Sequence, residues 1–295
     1  MSYECCRRLH AAYGRSYYLA TRLLPAWKRP HVHALYGFAR YADEIVDSFD
    51  LTTDRAEALN GLTARLADCV AGRPTADPVL PAFTHTLRSF DIDTADIDAF
   101  LTSMWADLSV RRYDTYEGLL GYMEGSAAVI GTMMLPILEP LPGAAEEARE
   151  PARQLGMAFQ LTNFIRDVSE DFARGRIYLP LSDLDKFGVA EDDLGERRAS
   201  RAVRALVAFE AERARDHYRR ALDGVELLVP SSRPCVRAAY ELYSGILDQV
   251  EAAGHDVLAA RARVPTRRRL AVFGRHLAAA ATAGRAERRV RVEVP

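Results

Sequence analysis

The sequence predicts an all-α fold in one domain. Apolar residues recur at helical spacing along nearly the whole chain, and Pro and Gly fall between the runs. No alternation of strand-like and helix-like segments occurs, and no internal repeat. No shift in composition marks a linker. The expected organisation is a single all-α domain over residues 1–284, followed by a charged, disordered tail over 285–295.

In chain order, Tyr3–Tyr13 is a short helix candidate and residues 16–27 form an apolar, aromatic stretch with Pro25 near its end. Pro30 suits the first turn of a helix running from about His31 to Phe49, because a missing N–H costs nothing there. Thr52 or Thr53 caps a helix that Gly72 and Pro74 close at Ala71. Pro78–Phe90 and Thr94–Val110 follow. Thr115–Leu138 is long, rich in Gly, Ala and Met, and nearly uncharged past Glu124. Residues 144–174 make the next helix, with RIYLP as an extended exit and 182–196 as loop and short turns. Ala199–Leu228, Val236–Ala253 and part of Ala259–Ala281, broken at Pro265, complete the set.

Composition is that of a globular protein with a large core: 295 residues, 49% hydrophobic and 27% charged. A formal net charge of −2 gives no push toward nucleic acid, and none is expected as a partner. Lys28 and Lys186 are the only lysines. Arg makes planar bidentate contacts with phosphate, although compositional bias of the gene accounts for most of this preference. Cys5, Cys6, Cys69 and Cys235 match neither zinc spacing nor a disulfide framework, which points to a reducing, cytoplasmic setting. The N-terminus lacks an apolar signal core, and no segment has 18 consecutive apolar residues. Attachment to the inner face of a membrane stays open, as does the choice between monomer and homodimer.

Two acidic stretches carry the chemistry. In residues 154–180, QLGMAFQLTNFIRDVSEDFARGRIYLP, Asn163, Asp167 and Asp171 recur every four residues and stack on one helical face, with Arg166 beside Asp167. In residues 35–47, LYGFARYADEIVD, Asp43 and Asp47 share a face, with Arg40 and Tyr36 one and two turns before Asp43. Hard cations take such oxygens together with substrate phosphates. Facing helices of this kind place Mg²⁺ (Mn²⁺ also suits) on a diphosphate and make it a leaving group. A solvated acidic face paired with Arg166 and Arg174 is the competing account, and a single such helix would favour it.

These two stretches resemble the Asp-rich signatures of the squalene/phytoene synthase family. GRSYYLATRLLP resembles its N-terminal Ser-aromatic segment, RRYDTYEGLLGYMEGSAAVIGTMM its middle signature, and YSGILDQVEAAGHDVLAARARVP its C-terminal region. The segments follow family order from about Gly14 to Arg269, and they look most like the bacterial phytoene synthase branch. The resemblance implies an isoprenoid-synthase (class I terpenoid synthase) helical bundle with a central cavity. It implies head-to-head coupling of two prenyl diphosphates, geranylgeranyl diphosphate for a phytoene synthase, with no NADPH. Asp43, Asp47, Asn163, Asp167 and Asp171 match the family's metal-binding residues. Arg40 and Arg166 match diphosphate-binding arginines, and Arg15 and Ser16 lie where the N-terminal segment contacts a diphosphate. Tyr36, Tyr243 and Gln160 match residues near the reacting centre.

Tyr17, Tyr36 and Tyr243 present quadrupoles suited to a carbocation. For Tyr17, plain core packing weighs equally. The chain departs from the family's pattern at Glu44, at Tyr13-Gly14, and at His255 and Ala260, where Arg261 or Arg263 is the expected substitute. The other histidines, His10, His31, His33, His85, His217 and His276, are expected to be surface or satisfied core residues. Gly131, Ala127, Ala128, Met133 and Met134 are candidates for the cavity floor that sets tail length. The alternative within the class is a squalene or dehydrosqualene synthase acting on farnesyl diphosphate.

Overall fold

Pro and Gly set most of the helix ends. The structure is a computed structural model that describes residues 1–47 and 54–293. Helices α1 (Ser2–Tyr13) and α2 (Arg15–Thr21) meet at Gly14, where a Cβ would run into the Tyr36 ring and His10. Helix α3 (Arg29–Asp47) carries the first acidic pair. Helix α4 (Arg55–Val70) is capped by Asp54, which accepts from the backbone N–H of Ala56 and Glu57. Thr52, Thr53 and Phe49 lie outside the described residues. Helices α5 (Leu80–Phe90) and α6 (Thr94–Ala106) follow, the latter capped by Asp93.

The long middle helix is not continuous. Helix α7 (Tyr116–Met123) passes into a wider π turn over Glu124–Ala128 and then into α8 (Val129–Leu138). Such turns reset which residues face a neighbour. Helix α9 (Ala145–Ala173) carries the second acidic face and ends at Gly175, whose φ of +75° only glycine adopts readily. Gly131 on α8 meets Ala152 of α9, and Gly156 of α9 meets Ala127, so closely that a Cβ at either site would collide with backbone. These two glycines therefore serve close helix packing, whatever else they line.

Residues 182–196, expected as loop and short turns, hold a short 3₁₀ turn over Glu191–Gly195 and also most of a two-turn helix, α10 (Leu181–Phe187). Helix α11 (Arg201–Leu222) ends in a 3₁₀ segment, Asp223–Leu227, that leads to α12 (Arg233–Ala252). Helix α13 starts just after Pro265 and runs from Thr266 to Glu293. The tail placed from 285 is thus helical as far as Glu293, where disorder was expected. Its Ala, Arg and Glu residues favour helix, and Gly284 alone costs only about 1 kcal/mol.

Among the described residues no strand forms; Arg112 and Ile177 make an isolated parallel bridge. Two large hydrophobic clusters fill the bundle. One is built from α1–α6, α8 and part of α12, with Phe38 stacked on Phe83 at 3.9 Å. The other joins α7 and α9–α12. Tyr17 and Phe159 pack against both, and the cavity lies along this seam.

Candidate active site

The two acidic helices face each other because arginines fasten them. Arg176, just past α9, donates to Asp47 at the end of α3 at 2.5 Å. Arg174 reaches the other Asp47 oxygen at 3.4 Å. One turn back on α3, Arg40 donates to Asp43 at 2.7 Å and also pairs with the exposed Glu44. Across the cleft, Arg166 forks onto Asp167 at 2.7 and 2.5 Å. Arg261, from the segment between α12 and α13, forks onto the same carboxylate at 2.7 and 2.9 Å. Of the two proposed C-terminal substitutes, Arg261 is therefore the one that reaches the acidic face. Planar bidentate pairs of this kind fix geometry as well as charge.

The electrostatics divide the carboxyls into two groups. Burial opposes charge on Asp167, but hydrogen bonds from Arg166 and Arg261 outweigh it and hold its carboxyl below the usual range. Burial, with Asp167 beside it, pushes Asp171 up to about 8. Burial and the adjacent Asp47 push Asp43 up to about 7. The Asp43 side chain keeps 44% of its exposure, so water tempers that shift. Asp107, at the end of α6, was not a sequence candidate. Burial pushes it up to about 6 despite a 2.8 Å hydrogen bond from Tyr122 Oη. Its other carboxyl oxygen is buried without a partner, and its carbonyl accepts from Arg176 at 3.3 Å.

Below the carboxylates lies a cavity of about 310 Å³ with mostly apolar walls. Tyr36, Gln160 and Asn163 line its acidic end, and Asn163 Oδ1 is buried with no partner. Tyr17 lines it too and stacks on Tyr243 at 4.2 Å, while Phe159 packs 4.8 Å from Tyr243. Tyr243 is thus one layer behind the wall. Tyr17 both packs against Phe159 and Tyr243 and presents a surface to the cavity.

Among the floor candidates, Ala127, Gly131 and Met134 line the cavity, whereas Ala128 and Met133 do not. Met133 is fully buried in the first cluster, about a quarter of a helical turn from the cavity-facing Met134. Arg15 and Ser16 open α2, a helix apart from the two acidic ones. His10 was expected to be surface or satisfied core. It lines the cavity, stacks on Tyr36 at 4.1 Å and shares a 2.9 Å Nδ1–Nδ1 hydrogen bond with His33, while its Nε2 has no partner. Burial pushes His10 down to about 3, so it stays neutral.

Arg176, Asp107 and His10 carried no sequence signal of the kind that revealed the Asp pairs. None belongs to a row of like residues at helical spacing, and Arg176 lies in the extended exit after α9. The buried position of Arg176 becomes meaningful only in contact with Asp47.

Divalent cations fit this donor set. Among the described residues no three His, Cys, Asp or Glu side chains converge into a ready-made cage. Mg²⁺ does not need one, since it keeps waters and takes one or two carboxylates plus substrate phosphates. The raised Asp43 and Asp171 and the unpartnered Asn163 Oδ1 are oxygens short of positive charge. Asp43, Asp47, Asn163, Asp167 and Asp171 would hold the ions.

The sign of the pH dependence follows. Both raised groups have folded values above the ordinary 3.8, so their cost is absent below about pH 3.8, builds as pH rises and is complete once pH passes about 7 to 8. The Tm of chelator-treated protein should therefore fall from pH 6 to pH 9, and added Mg²⁺ should restore more of it at pH 9 than at pH 6. A flat melting profile with a pH-independent Mg²⁺ effect would contradict the assignment.

An all-α bundle with facing carboxylate–arginine helices above an apolar cavity defines an isoprenoid-synthase type of enzyme, a prenyltransferase. The model of the squalene/phytoene synthase family matches residues 10–269. The chain belongs to that family. It is 38% identical to a phytoene synthase from Arthrospira platensis, over 90% of this chain and 89% of the relative. It is 37% identical to a 15-cis-phytoene synthase from a Synechocystis strain, over 91% and 82%. In structure it resembles a dehydrosqualene synthase with a TM-score of 0.85 and 29% identity, covering 93% of this chain and 95% of that one. A squalene synthase from Alicyclobacillus acidocaldarius matches with a TM-score of 0.77 and 27% identity, over 86% and 94%. Among the described residues, no helix is long and apolar enough to cross a membrane.

Proposed function

We propose that this enzyme condenses two geranylgeranyl diphosphates head to head, through prephytoene diphosphate, to phytoene, the first committed step of carotenoid formation. One observation carries the reading: the apolar cavity follows α9 from Asn163, one turn before Asp167, to Ala148. Fifteen residues of helix advance about 22 Å, which leads a long polyprenyl tail directly away from the carboxylates. The names of the relatives support the C20 substrate.

Bound Mg²⁺ supplies neutralising charge to the leaving diphosphate. Arg40, Arg166 and Arg261 add donors that already stand at the acidic faces. The allylic C–O bond breaks, the second prenyl double bond attacks the cation, and proton loss closes a cyclopropane. Its diphosphate leaves in turn, and rearrangement with a second proton loss yields the triene centre of phytoene. Tyr36 and Tyr17 face that cationic chemistry from the cavity wall, and the apolar lining keeps water from quenching it. Diphosphate is the proton acceptor in this reading.

The test is incubation of purified enzyme with geranylgeranyl diphosphate and Mg²⁺, with and without NADPH. A C40 hydrocarbon formed without NADPH is the expected product. The likeness to a dehydrosqualene synthase favours a second reading, farnesyl coupling. Product from farnesyl diphosphate alone would establish that one instead. Met134 lines the cavity. Met134→Phe should shift preference toward the shorter diphosphate by about tenfold, read from kcat/KM ratios; an unchanged ratio removes Met134 from the length determinants.

A further inference from the structure

The end of the cavity opposite the carboxylates is closed by an unusual arrangement of buried charge. Leu24, Leu138 and Leu228 all line the cavity, and a cationic side chain holds the main-chain carbonyl of each. Arg29 donates to Leu24 O at 2.8 Å, and Arg233 donates to Leu228 O at 2.8 Å. Lys28 donates to Leu138 O at 3.3 Å. Lys28 is completely buried. Its ammonium also donates to Ser232 Oγ at 2.8 Å and pairs with Glu139 at 2.5 Å.

The backbone at this end is stitched as well. Leu141 N–H donates to Leu227 O at 2.7 Å, and Val229 N–H donates to Glu139 O at 2.9 Å. Glu139 itself sits at a φ of +56°, a left-handed conformation that a non-glycine residue holds only when its surroundings enforce it. One ammonium thus ties the connection into α3, the end of α8 and the start of α12 together behind the cavity wall.

We propose that Lys28 is a positioning residue that sets the upper limit on prenyl tail length, by holding Leu138 and the Leu228 segment rigid at the far end of the cavity. The proposal rests on the prenyl-coupling reading above. An apolar pocket rejects extra methylenes only weakly if its wall can yield. Rejection becomes strong when the wall cannot move, because overpacking then costs strain. A fully buried ammonium, paired with a partly exposed Glu139 and stitched to three elements, is a wall of that second kind. A longer tail would have to separate Lys28 from Glu139 and Ser232 in a low-dielectric interior, where an unpaired charge is highly unfavourable. An ordinary leucine cap would simply repack.

The experiment compares farnesyl, geranylgeranyl and the five-unit C25 diphosphate as substrates. It uses wild type, Lys28→Met, the double variant Lys28→Met/Glu139→Gln, and Ser232→Ala. Lys28→Met leaves the Glu139 carboxylate without its buried cation and endangers folding. The double variant removes both charges, and Ser232→Ala removes one neutral hydrogen bond while the ion pair stays. Circular dichroism and melting establish which variants are folded. In the folded double variant the C25-to-C20 ratio of kcat/KM should rise at least about tenfold, through a lower KM for C25. The kcat for C20 should stay within about twofold of wild type, because the clamp is remote from the carboxylates. Ser232→Ala should move the ratio in the same direction by less. An unchanged ratio in the folded variants overturns the proposal, as does a loss of C20 kcat without a change in selectivity. Wild type that couples farnesyl but not geranylgeranyl diphosphate defeats the functional reading alone. The clamp is then judged on the C20-to-C15 ratio of the same variants.

Discussion

Asp43→Asn should leave the protein folded, raise its melting temperature slightly at pH 8 in the absence of divalent cations, and reduce turnover by about 10²–10³-fold. The opposite signs are the point. Burial and Asp47 push the Asp43 carboxyl up to about 7, so its negative charge is a cost to the metal-free fold. The amide keeps the shape and removes that cost. Arg40 retains Glu44 as a partner. Catalysis loses a hard-cation ligand whose contribution to charge neutralisation is several kcal/mol, and each 1.36 kcal/mol is tenfold in rate. Kinetics on prenyl diphosphates beside thermal melts with and without Mg²⁺ give both readouts. Retained turnover would remove Asp43 from the metal set. A large drop in melting temperature would show that the carboxylate serves the fold instead.

Arg176→Met should be the most destabilising change at the site. Arg176 is buried, donates to Asp47 at 2.5 Å and to the Asp107 carbonyl at 3.3 Å, and carries the link between the end of α9 and the end of α3. Methionine fills much of the volume but leaves Asp47 with only the 3.4 Å contact from the more exposed Arg174. Breaking one side of a buried pair costs about 3 kcal/mol or more. At this chain length that lowers Tm by on the order of 5–10 °C. Turnover should fall as well, since the two acidic faces lose the fastening that holds them opposed. Adding Asp47→Asn to Arg176→Met should recover part of the stability and none of the activity. A double-mutant cycle by melting would measure the coupling, and additive effects would show that the two side chains act independently.

Several features of this molecule were legible in the residues themselves. Asp43 with Asp47, and Asn163 with Asp167 and Asp171, stand out because four-residue spacing puts them on one helical face wherever the helix lies. Helix ends were legible at Pro30, Gly72 and Pro265 because those residues act locally on the backbone. The break between α7 and α8 was not legible. Glu124–Ala128 has no Pro to mark it, and the wider turn packs against α6 and α9, neighbours that no local pattern names. Beyond it, Met134 faces the cavity while Met133 enters the core.

The sequence by itself determined an all-α chain, two acidic faces with their arginines, and the signatures of the squalene/phytoene synthase family, because each of these depends on neighbours one or two turns away. Only the tertiary structure decided that the faces oppose each other, that Arg176 and Arg261 hold them, and that Asp107 and His10 stand among the site residues. It alone showed a fully buried lysine behind the far wall of the cavity. The reason is physical. Burial, charge pairing and the rigidity of a wall come from side chains far apart in the chain, and no spacing rule along one helix can encode them.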